Sequence, residues 1–175
     1  HTCAVLDDAT LKCWGKGADG QLGTGSTNNV GGVASEMGDA LAALELGTGR
    51  TAVSVSAGGF HTCAVLDDAT LKCWGQGFWG QLGTGSTSHV GDDPGEMGDA
   101  LAAVELGSGR TAVSVSAALE HTCAVLDDAT LKCWGKDIAG ELGTGSTGNV
   151  GDEPGEMGDA LAAVELGSGR TAVSV

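Results

Sequence analysis

His1-Thr2-Cys3-Ala4-Val5-Leu6-Asp7-Asp8-Ala9-Thr10-Leu11-Lys12-Cys13-Trp14-Gly15 opens the chain, returns letter for letter at His61–Gly75, and returns again at His121–Gly135. His1, His61 and His121 set a period of 60 residues, and a fixed period of this size marks a solenoid, a propeller or an array. One such unit cannot bury its apolar face alone, so its neighbours must bury it. The units read as 1–60, 61–120 and 121–175, the last stopping at Val175, five residues short of a period. The chain starts inside a strand-like run without Met, as a window cut from a longer repetitive protein, or a processed segment of one, would do.

The quoted stretch reads as two strands, about Thr2–Leu6 and Leu11–Trp14, joined by Asp7-Asp8-Ala9. A three-residue loop pairs Leu6 with Thr10, Val5 with Leu11, Ala4 with Lys12 and Cys3 with Cys13. Directly opposed residues have Cβ atoms about 4.5–5.5 Å apart, close to what a disulfide tolerates. The spacing therefore predicts one bridge per unit: Cys3–Cys13, Cys63–Cys73 and Cys123–Cys133. Closing a loop of ~10 residues stabilises by about 2–3 kcal/mol in the chain-entropy account. Such bridges imply an oxidising compartment, hence an extracellular or cell-surface location. Other readings remain open at this point. The thiols are free, or another register joins neighbouring units, or His1, Cys3 and Cys13 hold a metal. That last set lacks the fourth ligand and the close cysteine pair that zinc prefers.

Further along each unit, a loop changes its letters: Lys16-Gly17-Ala18-Asp19, Gln76-Gly77-Phe78-Trp79, Lys136-Asp137-Ile138-Ala139. A glycine-rich turn follows, anchored by Leu22, Leu82 or Leu142, and then an acidic Gly/Pro loop. Residues 100–106 read as an extended third strand. Gly107-Ser108-Gly109-Arg110 reads as a hairpin turn, and Thr111–Ser116 alternates apolar and hydroxyl residues as a half-buried strand does. Four short strands per unit describe a propeller-type blade, giving an all-β fold of three blades that this chain alone does not close.

The recurring His-Thr-Cys-Ala-Val-Leu-Asp-Asp, Leu-Lys-Cys-Trp-Gly and Gly-Gln-Leu-Gly-Thr-Gly segments, with Asn149-Val150-Gly151-Asp152-Glu153-Pro154, resemble the regulator of chromosome condensation repeat, most of all its cysteine-bearing bacterial form. The resemblance covers essentially the whole chain. It implies four-stranded blades, normally about seven to a closed ring. Ala9, Ala69 and Ala129 stand where this family's turns usually carry Gly, and a left-handed Ala there costs on the order of 1 kcal/mol. The family's eukaryotic namesake engages chromatin and a small GTPase. Those partners do not transfer to a chain with a net charge of −15.

That charge repels phosphate backbones and argues against nucleic acid. No apolar run approaches the roughly 20 residues of a spanning helix, so membrane insertion is not expected. Of the Gly-x-Ser-x-Gly elbow, the Walker motif and the dinucleotide fingerprint, none occurs, and the chain does not read as an enzyme or a cofactor protein. Asp92, Asp93, Glu96, Asp99, Asp152 and Glu153 offer oxygen atoms to Ca²⁺, with solvated turns as the plainer reading. The recurring histidines suit a structural bond to a neighbouring loop, and Trp14, Trp74 and Trp134 suit the core. Phe78, Trp79 and Ile138, in the loop that varies, are candidates for partner contact, local packing being the alternative for the aromatic pair. Thr24-Gly25-Ser26-Thr27 offers hydroxyls for O-linked glycans, whereas no Asn-x-Ser/Thr acceptor is present. The expected function is a non-catalytic structural repeat protein that assembles through repeat-repeat contacts into a filament or surface array. The alternative is a closed propeller presenting variable loops to a protein or glycan.

Overall fold

A computed structural model describes residues 1–175 as three antiparallel sheets set side by side. The first pairs β1 (Thr2–Val5) with β2 (Leu11–Trp14). The second has the order β3 (Ala52–Ala57), β4 (His61–Leu66), β5 (Leu71–Gly75), and the third the order β6 (Ala112–Ala117), β7 (His121–Leu126), β8 (Leu131–Gly135). A single bridge, Gly75↔Val90, with equivalents at Gly15↔Val30 and Gly135↔Val150, extends the outer side of each sheet beyond its last strand.

The recurrent hairpin forms in the expected register, with Cys3 opposite Cys13 and Ala4 opposite Lys12. Leu6 N–H donates to the Thr10 carbonyl (2.9 Å), so hydrogen-bonded pairs alternate back along the strands and Cys3/Cys13 falls on a non-hydrogen-bonded pair. Such pairs bring side chains closest; the two Cα atoms are 4.1 Å apart and the sulfurs are bonded, as they are in both other copies. The loop is a turn closed by a left-handed residue. Ala9, Ala69 and Ala129 each take φ of 63°. Asp8 Oδ1 accepts from Thr10 N–H (3.0 Å) and Thr10 Oγ1–H (2.7 Å), which secures the turn and holds this carboxyl below its usual range.

Two expectations change. Residues 100–106 form no strand: Leu101, Val104 and Leu106 are buried at unequal spacing, which the two-residue alternation of a strand cannot satisfy. The segment touches its sheet through Val104 N–H on the Leu71 carbonyl (2.7 Å). The run after the Gly107–Arg110 turn therefore has no strand partner in its own unit, which it meets through Ala112 N–H on the Ala69 carbonyl (3.2 Å). Instead β6 pairs with β7, and β3 with β4, so each complete sheet straddles the junction between sequence units.

Every residue of β4 is buried, because both faces of the middle sheet are covered. Ala64 and Leu66 pack toward the first sheet with Leu11, Cys13, Leu22 and Trp74. Cys63 and Val65 point the other way, into a cluster with Ala124, Leu126 and Trp134 of the third sheet. The core thus lies between blades, and the Cys3–Cys13 and Cys63–Cys73 bridges are part of the walls facing the next blade.

Candidate functional site

Two surfaces concentrate polar chemistry: the seam between blades, and the loops at one end of the sheets. The seam is built from residues of the recurrent hairpin. His61 is wholly buried, and its Nε2 lies 2.7 Å from Thr122 Oγ1 of the next blade. The Thr122 hydroxyl hydrogen goes to the Gln81 carbonyl (2.8 Å), so Thr122 must accept from His61 Nε2–H. The same carbonyl accepts Trp134 Nε1–H at 3.1 Å. His61 Nδ1 is left buried without a partner. Burial, with a smaller push from His121, brings His61 down to about 4, so the imidazole is neutral at physiological pH. The other junction repeats the arrangement: His1 Nε2 to Thr62 (2.7 Å), with Thr62 (2.8 Å) and Trp74 (3.1 Å) on the Gln21 carbonyl.

Close backbone approach makes this seam possible. Gly83 has φ of 67°, and a Cβ there would sit 2.9 Å from Trp134 Nε1 and 3.0 Å from Met157 Cε. Trp74 and Trp134 are fully buried against the preceding blade, and Trp14 is half-buried. The tryptophans are therefore seam residues, and Leu22, Leu82 and Leu142 are fully buried anchors. Lys72 reaches the Leu46 (2.9 Å) and Gly98 (2.8 Å) carbonyls, and desolvation lowers its affinity for a proton.

The acidic loops are occupied by their own backbone. Glu96 Oε2 accepts from Gly91 N–H (2.7 Å) and Asp93 N–H (3.1 Å), and Glu156 repeats this with Gly151 and Glu153. Asp99 accepts from Thr48 N–H (2.7 Å) and its hydroxyl (2.5 Å), and Asp159 does the same with Ser108. No group of three or more His, Cys, Asp or Glu side chains comes together in a metal-holding arrangement. Asp92, Asp93, Glu96, Asp99, Asp152 and Glu153 are not gathered, nor does His1 join Cys3 and Cys13, which are bonded to each other.

At the loop end, Phe78 is 57% exposed and packs edge-on against His89 with ring centroids 4.6 Å apart. Trp79 is partly covered: Lys136 of the next blade sits 4.9 Å from its ring centre and pairs with Glu120. Lys16 lies 5.1 Å from the Phe60 ring and 3.4 Å from Asp19. Ile138 is 66% exposed. The following Glu141 caps the backbone N–H groups of Ala139 (2.7 Å) and Ile138 (2.9 Å), which drives its carboxyl down to about 2.

Blades that bury both faces against each other through a repeated seam define a propeller-type repeat array. The family model of the Regulator of chromosome condensation (RCC1) repeat matches residues 52–81, the span of β3 to β5 and the varied loop after them. The Ultraviolet-B receptor UVR8 of Arabidopsis thaliana is 28% identical over 84% of this chain and 30% of its own length. The human E3 ubiquitin-protein ligase HERC2 is 27% identical over 86% of this chain and 3% of its own. In a crystal structure of Kap60 bound to yeast RCC1 (Prp20), one chain covers 93% of this chain with a TM-score of 0.57 at 20% identity, over 34% of its own length. This chain is built of RCC1-like repeats. It spans 30% and 3% of the length of these two relatives and 34% of the yeast chain. No helix is long and apolar enough to cross a membrane.

Proposed function

We propose that the chain is an extracellular protein-interaction module of the propeller type, a scaffold whose framework repeats while its end loops are free to differ. The observation that supports this reading most directly is the seam. The same histidine, threonine, tryptophan and backbone carbonyl join blade to blade at both junctions, so the framework does not depend on the loops it carries. RCC1-like propeller repeats serve as protein-interaction modules, and the yeast relative Prp20p is described by its binding to Gsp1p and histones. The bonded cysteines favour an oxidising compartment.

A second reading, an open filament or surface array, draws on the same seam, because a heterologous contact that does not close continues indefinitely. Electron microscopy of the purified protein separates the two. Discrete rings or discs support the interaction module, and long fibres with an axial repeat support the array. Alkylation before and after reduction, read by mass spectrometry, tests the compartment: six modified thiols in the native protein would remove that part.

A further inference from the structure

Differences between the copies are not scattered. Residues 61–115 and 121–175 depart from each other at 76–79, 81, 88, 89 and 93 and their equivalents, and nowhere else. The turn between the first two strands of each complete sheet also differs, Gly58-Gly59-Phe60 against Ala118-Leu119-Glu120. The fold gathers nearly all of these positions. Gln76 N–H donates to the Phe60 carbonyl (2.9 Å) and Lys136 N–H to that of Glu120 (3.0 Å), which seats each loop on its turn. Phe78 against His89 joins positions 78 and 89, and Lys136 over Trp79 joins one blade to the next. Position 93, where the two copies carry Asp and Glu, is the one outlier. The first copy departs further at 32–35, 44 and 48.

This face exposes Phe78, Leu119 (61%) and Ile138, different apolar groups on successive blades. Val53 and Val113, also exposed, are the same residue in each blade and lie off this end. Both lysines here already have carboxylate partners, Asp19 and Glu120. Between Leu119, Glu120, Lys136 and Glu141 lies a shallow depression whose rim carries the Glu141 carboxylate.

We propose that this varied face takes a basic protein segment, seating an aromatic or aliphatic anchor among Phe78, Leu119 and Ile138 and a Lys or Arg side chain against the Glu141 carboxylate. This rests on the interaction-module reading and names the class of partner. Two observations select the occupant. A second copy brings another net charge of −15 against an already acidic molecule, whereas a basic segment is drawn in by the same field. A neighbouring array docked in register would meet a different surface on every blade, so the face does not suit a repeating contact.

The test pans a random peptide display library on the intact chain and measures the enriched peptides on two variants. Gln76→Lys/Phe78→Ala/Trp79→Asp writes the first blade's side chains into the second, and Leu119→Gly writes in the residue found at Gly59. Both carry residues this framework already accommodates, so folding is preserved. The expected result is enrichment of Lys or Arg around Trp, Phe or Leu, with affinity falling roughly tenfold or more on the triple variant and falling as salt rises. Peptides that bind wild type and both variants equally, or acidic peptides, overturn the face and leave the module reading intact. Self-association in sedimentation that the triple variant abolishes assigns the face to a second copy and overturns the proposal. Absence of any binder overturns the proposal and the module reading together.

Discussion

The seam and the varied face are built from adjoining parts of the same repeat, yet they obey opposite rules. At the seam, His61, Thr122, Trp134 and the Gln81 carbonyl are buried and bonded, and the preceding junction repeats all of their positions. Interior packing leaves no slack for a changed volume, and a lost partner strands a buried polar group. At the face, Phe78 and Trp79 give way to Ile138 and Ala139 with the strand register beneath unchanged, whereas Gln76 and Gly77 are buried and a Cβ at Gly77 would sit 1.9 Å from the Ser88 carbonyl oxygen. At the seam, identity between copies goes with mechanical constraint, and at the face the exposed Phe78 and Ile138 differ where that constraint is absent.

The sharpest way to break this contrast is to remove a seam anchor. Trp74→Ala empties a fully buried site and deletes the bond to the Gln21 carbonyl, and is expected to cost about 3–5 kcal/mol in denaturant unfolding. A loss below about 1 kcal/mol would mean that the blades do not lean on this residue.

Acid should weaken the seam through His61. Its folded-state value of about 4 lies below the unfolded 6.5, so the unfolded chain takes up a proton that the folded chain refuses. Stability is full above the unfolded value and falls as pH drops from 6.5 toward 4, by an amount of about 3 kcal/mol. Thermal melts of wild type and His61→Gln across that window should converge toward the acid end. Parallel curves would remove the histidine from the account. The carboxylates lowered by threonine and serine bonds, such as Asp68 and Asp159, lose their contribution at lower pH, below 3.8.

Reduction of the bridges should be next in size. Cys63→Ala/Cys73→Ala is expected to destabilise by about 2–3 kcal/mol, measured by urea unfolding. An unchanged midpoint would show that strand pairing alone holds the hairpin. The smallest effect belongs to the face: Gln76→Lys/Phe78→Ala/Trp79→Asp should shift stability by less than about 0.5 kcal/mol. A larger loss would mean that the Trp79–Lys136 contact is part of the framework, and the contrast between the regions would blur.

Much of this was legible in the chain. The hairpin register and its cross-link follow from a three-residue loop and two cysteines placed symmetrically about it, whereas a left-handed Ala69 was suggested only by the glycine that the resembled repeats carry there. The role of Trp74 as packing was readable because the residue recurs with the hairpin. The histidine's partner was not: Thr122 lies 61 residues from His61 and becomes its neighbour only when blades stack. The partners of the acidic loops were hidden for a related reason. Asp99 and Glu96 look like free oxygen donors in a loop, but Asp99 answers Thr48, 51 residues away, and Glu96 folds back on Gly91.

Local forces therefore account for the hairpin, its staple and the all-β character, because turn geometry and strand alternation act between residues close along the chain. Sheet membership and the varied face belong to the assembled molecule. Residues 52–57 alternate like any half-buried strand and carry no mark of which neighbour they join. Tertiary structure settles the choice: β3 satisfies the free backbone edge of β4 of the next unit, while the first and third sheets cover the two faces of β4. That same stacking brings scattered differences at 16–19, 58–60, 76–79 and 136–139 to one end, a grouping that exists only in three dimensions.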